Sequence, residues 1–347
     1  MFKNTLKRLG AIVMVLALAM SVMAVTAFAD ATGNAAYETD FSKIVTTDGY
    51  TCAPNTTFTY SVTNGEKGSF TAPGESNAVV VYAGQGGVSL TETAFVPTQK
   101  TEASYTVSGK IQVAAGTFTV PGVYHYVVKE DCAANTDNYT NYEGIEYDAT
   151  ARDLYVYVID NNGTIEVSGI VMVKQGSTSK NEAFTNNYGA GTNDSTHDIT
   201  VTKKVEGSQG DKTKLFDFKV SVNGANGEMY RVDVKETASA TPVTQYVTSG
   251  AEAVTISIKD GGSIQIFGLT ENDTYTINEE SYTSDGYTTT NQDNTGKLTE
   301  DGTAITVTNT KDVSTPTGVI MNIAPYVLMV ALAGGIAFFF LRRRHAE

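Results

Sequence analysis

His197–Val205 reads HDITVTKKV. On a β-strand alternate residues share a face, so Ile199, Val201, Lys203 and Val205 point one way, and Asp198, Thr200, Thr202 and Lys204 the other. The apolar side is the core side, which puts Lys203 where valine or isoleucine belongs. Burying an ammonium without a partner is strongly unfavourable, so the fold must supply that amine with company.

The same anomaly recurs along the chain. In YTINEE (Tyr275–Glu280), Glu279 shares a face with Tyr275 and Ile277, and in AITVTNT (Ala304–Thr310), Asn309 aligns with Ile305 and Val307. The first half repeats the order. Lys43 lies between Phe41 and Val45, Glu130 follows Tyr124, Tyr126 and Val128, and Asn186 lies between Phe184 and Tyr188. Lysine comes early, glutamate midway and asparagine last, twice over.

Between the two ends, short alternating runs rich in Thr, Val and Tyr are separated by Gly/Asn/Asp turns, with no run at helical period. This pattern predicts an all-β protein of two tandem immunoglobulin-like β-sandwiches. Eight strands are expected before Gly189, from Phe41–Val45 to Glu182–Tyr188, and seven after it, from Ile199–Val205 to Ala304–Thr310. Asp160-Asn161-Asn162-Gly163 reads as a tight hairpin turn, since Asn-Gly tolerates the positive φ such turns need. The Gly-, Pro- and Ser-rich stretch Asn64–Thr101 reads as long loops. Small polar residues in GAGTNDST (Gly189–Thr196) mark a linker. The expected division is 30–190 for the first domain, 191–196 for the linker and 197–312 for the second domain.

Both ends read as removable. Lys3, Lys7 and Arg8 precede an apolar run, Ala11–Ala27, that closes on Ala27-Phe28-Ala29, so residues 1–29 read as a signal peptide. Val319–Leu341 is long and apolar enough to span a bilayer, and Arg342, Arg343 and Arg344 would hold its end inside. Removing both ends takes six of the 24 Lys+Arg but one of the 38 Asp+Glu, leaving a region more acidic than the whole chain at −14. Such a surface repels nucleic acid and anionic membranes, and no basic patch argues for a nucleic-acid partner. The three histidines, His125, His197 and His345, are scattered and suggest no metal site; no cofactor is expected. Cys52 and Cys132 lie in the exported region, where a disulfide is permitted, but spacing alone leaves their pairing open.

A lysine amine beside an asparagine carboxamide can form an isopeptide bond with release of ammonia. The step needs a neutral amine, a polarised carbonyl and a proton carrier. Burial lowers a lysine pKa and raises that of a glutamate, so Glu130 and Glu279 are suited to shuttle the proton. Crosslinks Lys43–Asn186 and Lys203–Asn309 would tie the first strand of each domain to its last, worth on the order of 4–5 kcal/mol if the disulfide loop model applies. The plain alternative is polar residues hydrogen-bonded or solvated at strand ends. No Ser/His/Asp set, Cys/His pair or phosphate-cradling glycine loop is present, so an enzyme is not expected.

The motifs ITVTKKVEG (from Ile199), FDFKV (Phe216), YTINEE (Tyr275) and VTNT (Val307) resemble the B-type repeat domain, Cna B-type, of Gram-positive collagen-binding adhesins and pilins. FSKIV (Phe41), PNTTFTY (Pro54), PGVYHYVVKE (Pro121) and FTNNY (Phe184) are similar to the N-terminal domain of T-antigen-type backbone pilins. The resemblance implies the same two isopeptide bonds, assisted by Glu130 and Glu279. It also implies that residues 313–347 form a sorting signal. Pro316-Thr317-Gly318, an apolar span and a basic end look like the substrate of a sortase transpeptidase, cut after Thr317, although the motif lacks the common leucine and the residue between proline and threonine. Implied partners are the sortase, other pilin subunits in a covalent polymer, cell-wall peptidoglycan and a host surface ligand, at the surface of a Gram-positive cell. An acceptor lysine is expected shortly before the bonding asparagine, with Lys180 first and Lys174 second. A monomeric wall-anchored adhesin is the competing expectation.

Overall fold

The computed structural model describes residues 33–131, 144–177, 179–189, 196–271, 273–298, 302–313 and 325–337. Its strands form two β-sandwiches, one before Gly189 and one from Thr196 onward.

In the first sandwich the opening strand, Tyr37–Thr46, lies inside a five-stranded sheet. It pairs antiparallel with Ser104–Val113 on one side and parallel with the closing strand, Ala183–Tyr188, on the other. The facing sheet has seven strands and includes Gly122–Asp131, flanked by Thr56–Asn64 and Arg152–Asn161. The second sandwich repeats this plan. Its opening strand, Thr196–Glu206, pairs antiparallel with Ser263–Thr270 and parallel with the closing strand, Thr303–Thr310. The facing four-stranded sheet carries Phe216–Asn223 beside Thr274–Glu279.

The alternation read from the sequence is the burial pattern of the strands. Ile199, Val201, Lys203 and Val205 are all buried, as are Phe41, Lys43 and Val45. In the first sandwich the polar positions divide the core. Phe41, Val128 and Phe184 belong to one apolar cluster, while Val45 and Tyr188 belong to another with Phe58, Phe95 and Tyr147. Lys43 and Asn186 lie at the intervening inward positions of their strands.

Every expected strand is present, and the turn at Asn162-Gly163 has positive φ at both residues, 55° and 88°. The stretch Asn64–Thr101 is more ordered than its composition suggests. It holds Gly68–Phe70, Val79–Ala83, Val88–Leu90 and Thr93–Phe95. The Gly68–Ala83 hairpin joins the seven-stranded sheet through parallel pairing of Val81–Ala83 with Val123–His125, and Phe70 stacks on Tyr155 at 3.6 Å. Asp293–Lys297 (DNTGK) has no apolar residue and is held by pairing with Thr274–Asn278. The sandwiches meet where Tyr50 stacks on Phe267 at 5.0 Å and Asn55 donates a hydrogen bond to the Asn226 carbonyl.

Candidate isopeptide sites

The register of the parallel pair sets each site. Lys43 lies opposite Phe184, which puts Asn186 opposite Val45, two residues further along. In the second sandwich Lys203 lies opposite Val307 and Asn309 opposite Val205. The stagger is identical. Both the lysine and the asparagine therefore face inward from adjacent strands of one sheet, and the glutamate reaches them from the facing sheet.

In the first site Lys43 Nζ lies 2.7 Å from each oxygen of Glu130. Asn186 Nδ2 donates to Glu130 Oε1, also at 2.7 Å. Asn186 Oδ1 accepts the backbone N–H of Asp148 at 2.9 Å. Lys43, Glu130 and Asn186 are all buried to within 1%. Burial lowers the Lys43 amine to about 8, opposed in part by the Glu130 charge, and burial raises the Glu130 carboxyl. Both shifts favour the neutral forms of amine and acid.

In the second site Lys203 Nζ lies 2.9 Å from Glu279 Oε1 and donates to the Val307 carbonyl at 3.3 Å. Burial lowers the Lys203 amine as well. Among the described residues neither polar atom of the Asn309 carboxamide has a hydrogen-bond partner, although the residue is wholly buried.

Aromatic pairs that the sequence reading overlooked complete both sites. Lys43 Nζ lies 4.4 Å from the Phe58 ring centre, and Glu130 is cross-strand from Tyr60. Lys203 Nζ lies 4.4 Å from the Phe216 ring centre, and Glu279 is cross-strand from Phe218. These rings exclude water and present a quadrupole to the amine. The available signal was F-x-Y at Phe58–Tyr60 and F-x-F at Phe216–Phe218, each on the first strand after the lysine. The Asp148–Arg152 pair beside Asn186 left no such repeat, because the second half has no counterpart in sequence.

The other expected residues lie apart from these sites or outside the described chain. Lys180 is exposed and pairs with Glu182 at 2.7 Å. Lys174 reaches toward Asp148 at 3.4 Å. Cys52 is buried, and burial pushes its thiol up to about 12; Cys132 lies outside the described residues. So do residues 1–29, read above as a signal peptide, and Pro316, Thr317 and Gly318. Residues 325–337 are helical and exposed, and among the described residues no helix is long and apolar enough to cross a membrane. No metal-ligating cluster occurs among them either.

Two β-sandwiches in tandem, each placing Lys, Glu and Asn at equivalent inward positions, define an all-β class with one buried Lys/Glu/Asn set per domain. Comparisons with known proteins give its family. Residues 39–189 match the family model described as a Spy0128-like isopeptide containing domain, and residues 197–311 match a domain of unknown function, DUF7601. A pilin of Streptococcus pyogenes serotype M1 is 30% identical over 264 residues, covering 70% of this chain and 74% of that protein. The chain belongs to this family of Gram-positive pilins, the structural subunits of pili. The fold is also that of the crystal structure of the major pilin from Streptococcus pyogenes, with a TM-score of 0.53 at 23% identity over 82% of this chain and 100% of that one. The T3.2 major pilin of the same species gives 0.51 at 22% identity, over 81% and 98% of the two chains.

Proposed function

We propose that the chain is a subunit of a sortase-assembled pilus whose two domains, 30–190 and 197–312, are each closed by an intramolecular bond, Lys43–Asn186 and Lys203–Asn309. The observation that carries this reading is the sharing of Glu130 Oε1 between the attacking amine and the departing amide nitrogen. Lys43 gives one proton to Glu130 and becomes a neutral nucleophile. Its lone pair attacks Asn186 Cγ, and the carbonyl π electrons move onto Oδ1. Glu130 then protonates Nδ2 and takes a second proton from Nζ. Collapse of the intermediate breaks the Cγ–Nδ2 bond, releases ammonia and leaves a secondary amide. The remaining proton stays on Glu130 or departs with ammonia as ammonium. Glu279 serves Lys203 and Asn309 in the same way. The site reacts once and does not turn over.

In the same reading Thr317 is joined by a sortase to an amine of the next subunit, with Lys180 as first candidate and Lys174 as second. The exported polymer ends on cell-wall peptidoglycan, and a host surface ligand remains a further candidate partner. Accurate mass of the purified 30–317 region tests the crosslinks. The expected value is the encoded mass less two ammonia molecules, restored to the full encoded mass in Glu130→Ala plus Glu279→Ala. A wild-type mass with both ammonias retained would overturn the reading.

A further inference from the structure

We propose that the backbone N–H of Asp148 is the oxyanion donor of the first crosslinking site, and that Arg152 is the positioning residue that aims it. The inference rests on the crosslink reading above and adds the group that stabilises its intermediate.

When Lys43 attacks, negative charge develops on one atom, Asn186 Oδ1. Preorganised donors at such an atom act strongly in a site closed to water. The Asp148 N–H already points at it from 2.9 Å, within the range of a good N–H···O bond. Glu130 holds the other end of the same carboxamide through Nδ2. The carboxamide is thus fixed with its leaving nitrogen at the acid and its carbonyl oxygen at a donor, which is the orientation the reaction needs.

The donor sits in a short connection after Ile145–Glu146, not in a strand, so something must hold it. Arg152 does so. Its guanidinium is 1% exposed and donates to Asp148 Oδ2 and to the Thr150 carbonyl. It also donates to the Ala183 carbonyl at 2.9 Å and lies 4.5 Å from the Phe184 ring centre. Ala183 and Phe184 belong to the strand that carries Asn186. The arginine fork therefore joins the loop bearing the donor to the strand bearing the acceptor. A second hold comes from the Thr150 N–H, which donates to Asp148 Oδ1 at 3.1 Å. Among the described residues the second site has no equivalent, since Asn309 Oδ1 finds no hydrogen-bond partner there. The first site should accordingly close ahead of the second.

The decisive variant replaces Asp148 by its α-hydroxy acid, which turns the 147–148 peptide N–H into an ester oxygen and keeps the carboxylate. The full-length mature region is made by cell-free synthesis and folded at a mildly acidic pH, where ammonia loss lags folding. Peptide mapping then follows each crosslink with time. The expected result is that Lys43–Asn186 forms ~10²–10³-fold more slowly than in the wild type, with Lys203–Asn309 unchanged in the same molecules. In the wild type the first crosslink appears before the second. Arg152→Lys keeps the charge but not the fork. It should slow the first site without moving the pH midpoint of its rate, whereas if Arg152 acted only through its charge the lysine would leave the first site closing at the wild-type rate. First-site closure at the wild-type rate in the ester variant would overturn the assignment. Absence of both crosslinks from the wild type would instead overturn the reading on which it rests.

Discussion

Lys43 and Asn186 are joined through a single oxygen atom: Nζ of one and Nδ2 of the other each lie 2.7 Å from Oε1 of Glu130. The proton to be moved has its origin and its destination on the same carrier, so no rearrangement of the side chains is needed for the transfer. Glu130→Gln preserves the shape of that carrier but cannot accept and return a proton. The expected outcome is first-site closure slowed by ~10²–10⁴-fold, the usual contribution of a positioned acid–base group. Mass spectrometry should find one ammonia lost in place of two, with the remaining crosslink mapped to Lys203–Asn309.

Asn186→Ala removes the electrophile and leaves the first domain open. In the loop-closure description of a crosslink, a bond between strands so distant in sequence contributes about 4–5 kcal/mol. Differential scanning calorimetry should show the first domain melting well below its wild-type temperature while the second domain keeps its own. Reductant should change neither, because the bond lost is an amide.

The pH dependence follows from burial of the amine. Only neutral Lys43 attacks, and its amine is held down to about 8. Because the amine's proton passes to Glu130 and is used there, first-site closure should be fastest while the pair holds one proton. It should slow above about 8, as that proton is lost to solvent, and again at acidic pH, where Glu130 is already protonated beside a charged amine. In Asn186→Ala the amine remains free to titrate, with a folded pKa below the 10.5 of an ordinary lysine. Folding then carries a charging deficit that is fully present below the folded pKa and shrinks as pH rises toward the unfolded one. The melting temperature of that variant should rise across this window, and a flat profile would contradict the assignment.

Lys180→Arg should abolish the high-mass ladder that a covalent polymer gives on denaturing gels of wall extracts. Lys174→Arg should leave it intact, because the Lys174 amine is drawn toward Asp148 beside the first site. Persistence of the ladder in the first variant and its loss in the second would reverse the order.

The fold and most of each site were legible because alternation on a strand is a strict rule. A lysine at an inward parity either breaks the strand or demands a partner, and here Glu130 and Glu279 meet that demand from the facing sheets. What escaped was set by the tertiary structure rather than by pattern. Phe58 and Phe216 look like ordinary core residues until the amine is found 4.4 Å from each ring. Asp148 acts through its backbone, which no side-chain pattern encodes. Asp293–Lys297 forms a strand without a single apolar residue because its pairing with Thr274–Asn278 satisfies the backbone.

The parallel pairing of opening and closing strands has a mechanical corollary. Two adjacent strands that run the same way bring the polypeptide into each sandwich at one pole and out at the other. Tension applied between the poles would be carried across a single Lys–Asn amide, while the many residues folded between them hang off the load path like slack. A filament built of such units would stretch little and would not unravel before a covalent bond ruptured.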